Sequence, residues 1–253
     1  MNTVADSFWL NLPLGREVRV LTHDANGLAA LDKPAGVLSH PNTTEDEPRS
    51  LLTARYQSDG EFYAWDAGSG PLRLWLLNRL DSATSGVILV CADEGLAAAV
   101  RLHFRHKHVY KVYNAVVFGH PAATNQIWRD RLAIEKRGSR IRTAVTGHIP
   151  AESRMMTLRS GLGKGQDRTL IKLEPLTGRS HQLRVQCAKR HLPIIGDQTY
   201  GDFARNREFA KATGEKRLLL HSLETQFDYE HAGRTWHFAA KAPLPAEFTA
   251  VLH

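Results

Sequence analysis

Three pairs of apolar runs, each pair folded about strong turn residues, constrain this chain more than any other feature. Residues 17–22 (EVRVLT) and 27–32 (GLAALD) flank Asp24-Ala25-Asn26-Gly27, and MMTLRS and RTLIKLEPL flank the turn-rich SGLGKGQD. A third pair, LETQFDYE and RTWHFAAK, flanks His231-Ala232-Gly233. Glycine, asparagine and aspartate accept the backbone of a tight turn, so β-formers that run up to such a cluster and resume beyond it read as joined strands. Two of the pairs lie late in the chain, which makes the second half strand-rich.

The remaining segments fill in the class. GVILVC at 86–91 is a candidate buried strand, and KVYNAVVFG at 111–119 alternates like another. Residues 95–104 carry good helix formers with apolar residues at helical spacing, and about 48–57 suits a short helix. SDGEFYAWDAGSGP carries Gly, Asp, Ser and Pro and predicts a mobile surface loop. No internal repeat, heptad or low-complexity segment interrupts the chain. One α+β domain over 1–253 is the economical expectation, and 253 residues suffice for a real core without staples.

Charge narrows the partner without fixing it. Lys and Arg number 33 against 26 Asp and Glu, a net +7. That excess suits a polyanion, and equally a solvated surface that keeps the protein in solution. The two cysteines, Cys91 and Cys187, sit inside apolar runs, as small buried hydrophobes do, so neither a disulfide framework nor a cysteine-based zinc site is expected. The N-terminus has no basic leader and no run nears the roughly 20 apolar residues of a membrane span, so a cytoplasmic protein without a membrane partner is expected.

Polar density marks two stretches for chemistry. In Asn78-Arg79-Leu80-Asp81-Ser82-Ala83-Thr84-Ser85-Gly86 a charged pair, several hydroxyls and a glycine precede an apolar strand, so a loop there presents Asp81 at a cleft or is an ordinary polar turn. In Thr177-Gly178-Arg179-Ser180-His181-Gln182-Leu183-Arg184 two arginines lie five residues apart around a Ser/His pair. Ser180 is placed to cap a helix starting near His181, with Leu183 and Cys187 on its apolar face. Each arginine alone fits a phosphate contact or a surface ion pair.

Together the two stretches resemble the HRLDxxTSG and TGRxHQLR motifs of the RluA family of pseudouridine synthases. The resemblance continues, in the family's order, through Leu31–Gly36, Lys111-Val112-Tyr113, Pro193–Gly201 and Leu219-Leu220-His221, and so spans roughly 30 to 240. It implies an α+β catalytic fold, a mixed, largely antiparallel sheet with flanking helices and a central active-site cleft. It also implies an RNA isomerase that turns uridine into pseudouridine in ribosomal or transfer RNA, needing no cofactor or metal.

By resemblance, Asp81 is the essential carboxylate, acting as nucleophile at the ribose or as the base that yields a glycal. Arg184 is its expected ion-pair partner, and an opposite charge at contact lowers a carboxyl pKa by about 1–3 units. Tyr113 is expected to stack on the uracil. The target must leave its stack at a cost of about a few kcal/mol, and Arg79 is expected to fill the gap or hold the flipped backbone. Asn78, Thr84, Lys111, Arg179, His181 and Gln182 are further residues expected at the RNA, with Leu183 in the substrate pocket. Asn78 departs from the family, which usually has histidine there; asparagine hydrogen-bonds but carries no charge. Some relatives carry a small S4-type RNA-binding domain, for which Lys33-Pro34-Ala35-Gly36 comes too early here. A monomer acting on RNA, not DNA, is expected.

Two basic stretches are weighed separately. His103, His106 and His108 invite a metal, but the crowding of Arg101, Arg105 and Lys107 and the lack of nearby acid or thiol favour a phosphate-facing edge. The run Lys136–Arg142 fits either an RNA-gripping loop or a solvated turn. Of the competing functions, a silent RNA-binding or RNA-folding factor is argued against by retention of Asp81, Tyr113 and Arg184. A glycosidase normally needs a second carboxylate, which the Asp81 motif lacks.

Overall fold

Asp24 builds the first predicted turn. Its Oδ1 accepts the N–H groups of Asn26 and Leu28, each at 3.0 Å, and Gly27 takes φ 101°. β1 (Arg19–His23) and β2 (Leu28–Lys33) therefore pair antiparallel. The computed structural model describes residues 4–68, 70–137, 140–163 and 166–252, and the chain forms two compact units. The first holds residues up to Tyr110 together with Glu224–Ala242, and the second holds Lys111–Leu223 and the C-terminal residues from Pro243.

In the first unit β2 pairs with β6 (Ser85–Cys91), which also pairs with the end of β5 (Pro71–Leu76). All seven residues of β6 are buried, as an apolar run flanked on both faces must be. After the short α1 (Asp6–Leu10), α2 (Glu94–His106) starts where predicted: Asp93 Oδ1 accepts the Leu96 N–H at 2.7 Å, an N-cap bond that satisfies one otherwise unpaired donor, and Lys107 ends the helix in the left-handed region. Leu96 and Val100 pack with Leu28, Trp75, Val87 and Phe227 in this unit's core.

Two expectations fail in this unit. Residues 48–57 form no α-helix; a 3-10 turn covers Thr44–Arg49 and β3 (Arg55–Gln57) follows. Pro48 lacks an N–H to propagate a helix, and Ser50 instead anchors its hydroxyl on the Asp46 carbonyl. The predicted surface loop at 58–71 is mostly sheet: β4 (Phe62–Asp66) pairs with β3 and β5. Tyr63 is fully buried and its hydroxyl donates to the Ser39 carbonyl at 2.8 Å, so tertiary burial overrides the turn formers at the segment's ends.

The second unit carries a four-stranded antiparallel ladder, β7 (Tyr110–Phe118), β10 (Gln166–Pro175), β9 (Arg140–Gly163) and β8 (Asn125–Arg137), paired in that order. The long β8–β9 pairing is not among the hairpins that the sequence predicts. α3 (Gln182–Lys189) lies on it, with Val185 against Leu132 and Ala151. α4 (Phe203–Thr213) contributes Phe209 to a second core with Val116, Phe118 and Leu219. Most of β11 (Leu220–His231) and all of β12 (Arg234–Lys241) belong to the first unit, where they form the predicted hairpin, and α5 (Glu247–Ala250) lies in the second. Gly138 and Ser139, inside the basic run Lys136–Arg142, and Lys164 and Gly165, in the turn-rich SGLGKGQD, lie outside the described residues. The α+β class is as expected, and the ladders β1–β2, β2–β6, β3–β4, β4–β5, β5–β6, β7–β10, β9–β10, β8–β9 and β11–β12 are antiparallel. Among the described residues no helix is long and apolar enough to cross a membrane.

Candidate active site

The loop that carries Asp81 is fixed at several backbone points. β5 stops at Leu76, yet Leu77 still donates to the Leu89 carbonyl at 3.0 Å and Asn78 Oδ1 accepts the Leu89 N–H at 2.8 Å. The asparagine side chain thus stands in for a strand carbonyl and prolongs the β5–β6 pairing. Ser39 clamps Leu80: its hydroxyl donates to the Leu80 carbonyl at 2.7 Å and accepts the Leu80 N–H at 3.0 Å. The Asp81 carbonyl accepts the Thr84 N–H at 3.0 Å, which closes a tight turn. The Ser82 carbonyl accepts both the Gly36 N–H at 2.8 Å and Lys33 Nζ at 3.0 Å.

Lys33 is the cation at the base of this loop. It has no exposed surface, and Nζ also donates to the carbonyls of Pro34 at 3.0 Å and Val37 at 2.7 Å. Buried ammonium groups persist only with such partners. The outcome is a rigid presentation in which Asp81 is partly buried and Arg79 exposed. Thr84, expected at the RNA, is 3 % exposed, and its N–H closes the turn.

In the second unit Lys111 and Tyr113 share one face of β7 by the two-residue period, while Val112 and Asn114 fill the other. Burial holds the Lys111 amine below the usual lysine range. Its Nζ lies beside the Thr177–His181 loop, 4.0 Å from where a Cβ on Gly178 would stand.

Gln182, expected at the RNA, is 3 % exposed and is the hub of that loop. Its Oε1 accepts the Thr177 hydroxyl at 2.7 Å and the Arg179 N–H at 3.1 Å, and Nε2 donates to the Glu152 carbonyl at 3.1 Å and Ser153 Oγ at 3.0 Å. Ser180 does not cap α3; the N-cap is His181, in the left-handed region at φ 53°, and the Ser180 carbonyl accepts the Thr143 hydroxyl at 2.9 Å. No side chain caps α3; Gln182, in its first turn, ties the preceding loop together instead. Arg179 and Ser180 are exposed, His181 is partly buried, and Leu183 and Cys187 are buried.

Arg184 is 8 % exposed and pairs bidentately within its own unit. Nε and Nη2 each donate to a carboxylate oxygen of Asp197 at 2.8 Å. Burial opposes the charge on Asp197, but the Arg184 hydrogen bonds and charge, with the N–H groups of Tyr200 and Thr199, outweigh it and hold the carboxyl below its usual range. The guanidinium lies over the Tyr200 ring, 5.1 Å from its centre. Tyr200 Oη in turn accepts the Thr143 N–H and meets His181 Nδ1, both at 2.8 Å. Asp197 and Tyr200 belong to a stretch already matched by sequence, yet nothing local assigned them to Arg184, 13 residues away in the case of Asp197.

Taken unit by unit, the first offers a partly buried carboxylate on an anchored loop, and the second offers a tyrosine and several cations, groups that suit anionic RNA and chemistry on a base. The family described as RNA pseudouridylate synthase matches residues 27–189. A tRNA pseudouridine synthase C of Vibrio cholerae is 30% identical over 210 residues, covering 79% of this chain and 81% of that protein. A ribosomal large subunit pseudouridine synthase C of the same organism is 33% identical over 179 residues, 71% of this chain and 54% of that protein. Among solved structures, human RNA pseudouridylate synthase domain containing 4 aligns at TM-score 0.65 and 22% identity over 92% of this chain and 91% of its own, a likeness of fold. With family motifs, fold and relatives agreeing, the chain belongs to the RluA-type RNA pseudouridylate synthase family.

Proposed function

We propose that this RNA pseudouridine synthase isomerises specific uridines in transfer or ribosomal RNA, with Asp81 as its essential carboxylate, acting as a monomer in the cytoplasm and as one catalytic domain. The supporting observation is the anchoring of the Asp81 loop by Lys33, Ser39 and the Thr84 N–H, which fixes the backbone that carries this partly buried carboxylate. Reactions on a bound nucleotide demand such placement, since misplacement by about 1 Å can cost about 100-fold. The relatives named for transfer RNA and for the large ribosomal subunit support the two substrate classes.

In the reaction the bond from C1′ to N1 of uracil breaks, the base turns, C1′ bonds to C5, C5 gives up its hydrogen as a proton, and N1 takes one up, so that the product is an isomer of the substrate. Asp81 assists the first step as nucleophile or base. Arg184 supports the carboxylate electrostatically and Tyr113 stacks on the uracil. Arg79 serves the flipped-out state; Lys111, Arg179 and His181 contact the RNA. Thr84, Gln182 and Leu183, being buried, shape the loops that carry these groups. Asn78 is assigned to the Asp81 loop through Leu89.

Pseudouridine mapping of total RNA from cells lacking the gene tests the reading. Sites lost on deletion should return with the wild-type protein and stay absent with Asp81→Ala. Return with both proteins would remove Asp81 from the chemistry, and no lost site would favour a silent RNA-binding role.

A further inference from the structure

Resting on the reading of Arg184 above, we infer that Asp197 is a positioning residue for catalysis, fixing the guanidinium of Arg184 in place and orientation through a buried two-pronged pair. The fork–fork geometry sets both the distance and the plane of the guanidinium, because two parallel N–H···O bonds of 2.8 Å leave it no free rotation. The side chains of Arg184 and Asp197 are only 9% and 1% exposed, so water does not compete for the pair. The Tyr200 ring bounds the guanidinium on a face, 5.1 Å from the ring centre.

Asp197 is itself held. Its Oδ1 accepts the N–H groups of Thr199 at 2.8 Å and Tyr200 at 3.0 Å, besides Arg184 Nη2. Its Oδ2 is the atom that receives Arg184 Nε. This division of labour makes Asp197→Asn a selective probe. Asparagine keeps Oδ1, and with it the loop, but turns an N–H donor toward Arg184 Nε–H, so half of the fork is lost while the local fold keeps its bonds.

The experiment is a double-mutant cycle on the full chain. The substrate is total RNA from cells lacking the gene, labelled with tritium at uridine C5, and the single-turnover release of tritium is timed at saturating enzyme. Asp197→Asn should slow release about 10–100-fold, with RNA affinity by fluorescence anisotropy within about twofold of wild type. Arg184→Gln should slow it at least as much. In the double variant the Asp197 change should add almost nothing, because a residue acting through another has no effect once that other is gone.

Slowing that multiplies across the two sites would overturn the positioning role and leave the reading of Arg184 standing. Arg184→Gln at wild-type speed would overturn both. Arg184→Lys keeps the charge and the Asp197 loop but cannot form the fork, so it should be as slow as the glutamine variant even if Asp197→Asn fails to fold. Lysine working at wild-type speed would sink the inference.

Discussion

Asn78 shows how one substitution in a family motif can preserve a loop. Its Oδ1 takes the Leu89 N–H at 2.8 Å, a bond that asparagine offers at any pH. In Asn78→His, the imidazole Nδ1 falls at the matching position along the side chain but accepts only while unprotonated. A histidine that must stay neutral in the fold has its pKa pushed below the unfolded value of about 6.5. Its contribution is then present above that pH and is lost as pH falls through the lowered folded value. Urea midpoints for Asn78→His should match wild type near pH 8 and drop away from it toward pH 5. A gap that is constant with pH would mean that the imidazole does not take over the Leu89 bond.

At the level of elements, α3 is held to the β8–β9 ladder by a buried carboxylate. Asp130, whose side chain has no exposed surface, accepts Lys189 Nζ at 2.7 Å, Arg190 Nη1 at 2.9 Å and Gln186 Nε2 at 2.9 Å. Burial raises its pKa, but Lys189, Gln186 and Arg190 together hold it below the usual range. Asp130→Asn should cost about 2–3 kcal/mol near neutrality, less than a fully buried pair because Lys189 is 46% exposed. A carboxyl with a lowered folded pKa stabilises above its unfolded value of about 3.9 and ceases to do so as pH falls through the folded one. The wild-type advantage in denaturant midpoint should therefore hold from pH 6 to about pH 4 and shrink below it, and an advantage as large at pH 2 as at pH 6 would contradict the assignment. This anchor also shows the limit of sequence reading. The hairpins at Asp24–Gly27 and His231–Gly233 were legible because turn and strands lie within a few residues. Residues 48–57 form no α-helix because Pro48 has no N–H to donate, a local signal that the apolar spacing outweighs, and 58–71 pairs as sheet because Tyr63 is buried under Ser39, a contact that no local window contains. The motif residues of the site were legible through the family, whereas Asp130 and Asp197 were not assigned, their partners lying as far as 60 and 13 residues away.

For the whole molecule, the net charge of +7 admits two meanings, solubility or an RNA footprint, and salt separates them. Contacts between cations and phosphates release counterions, so the logarithm of affinity falls linearly with the logarithm of salt concentration, by about 0.7 per contact on single strands and 0.9 on duplex DNA. Asp81→Ala, which should bind without turning over, suits the measurement with total transfer or ribosomal RNA. A footprint that includes the exposed Arg79 and Arg179 predicts a steep negative slope between 50 and 200 mM KCl, and replacing either arginine by alanine should reduce that slope by about one. A flat wild-type line would assign the charge to solubility, and a slope unchanged in both variants would move the RNA contact to other cations.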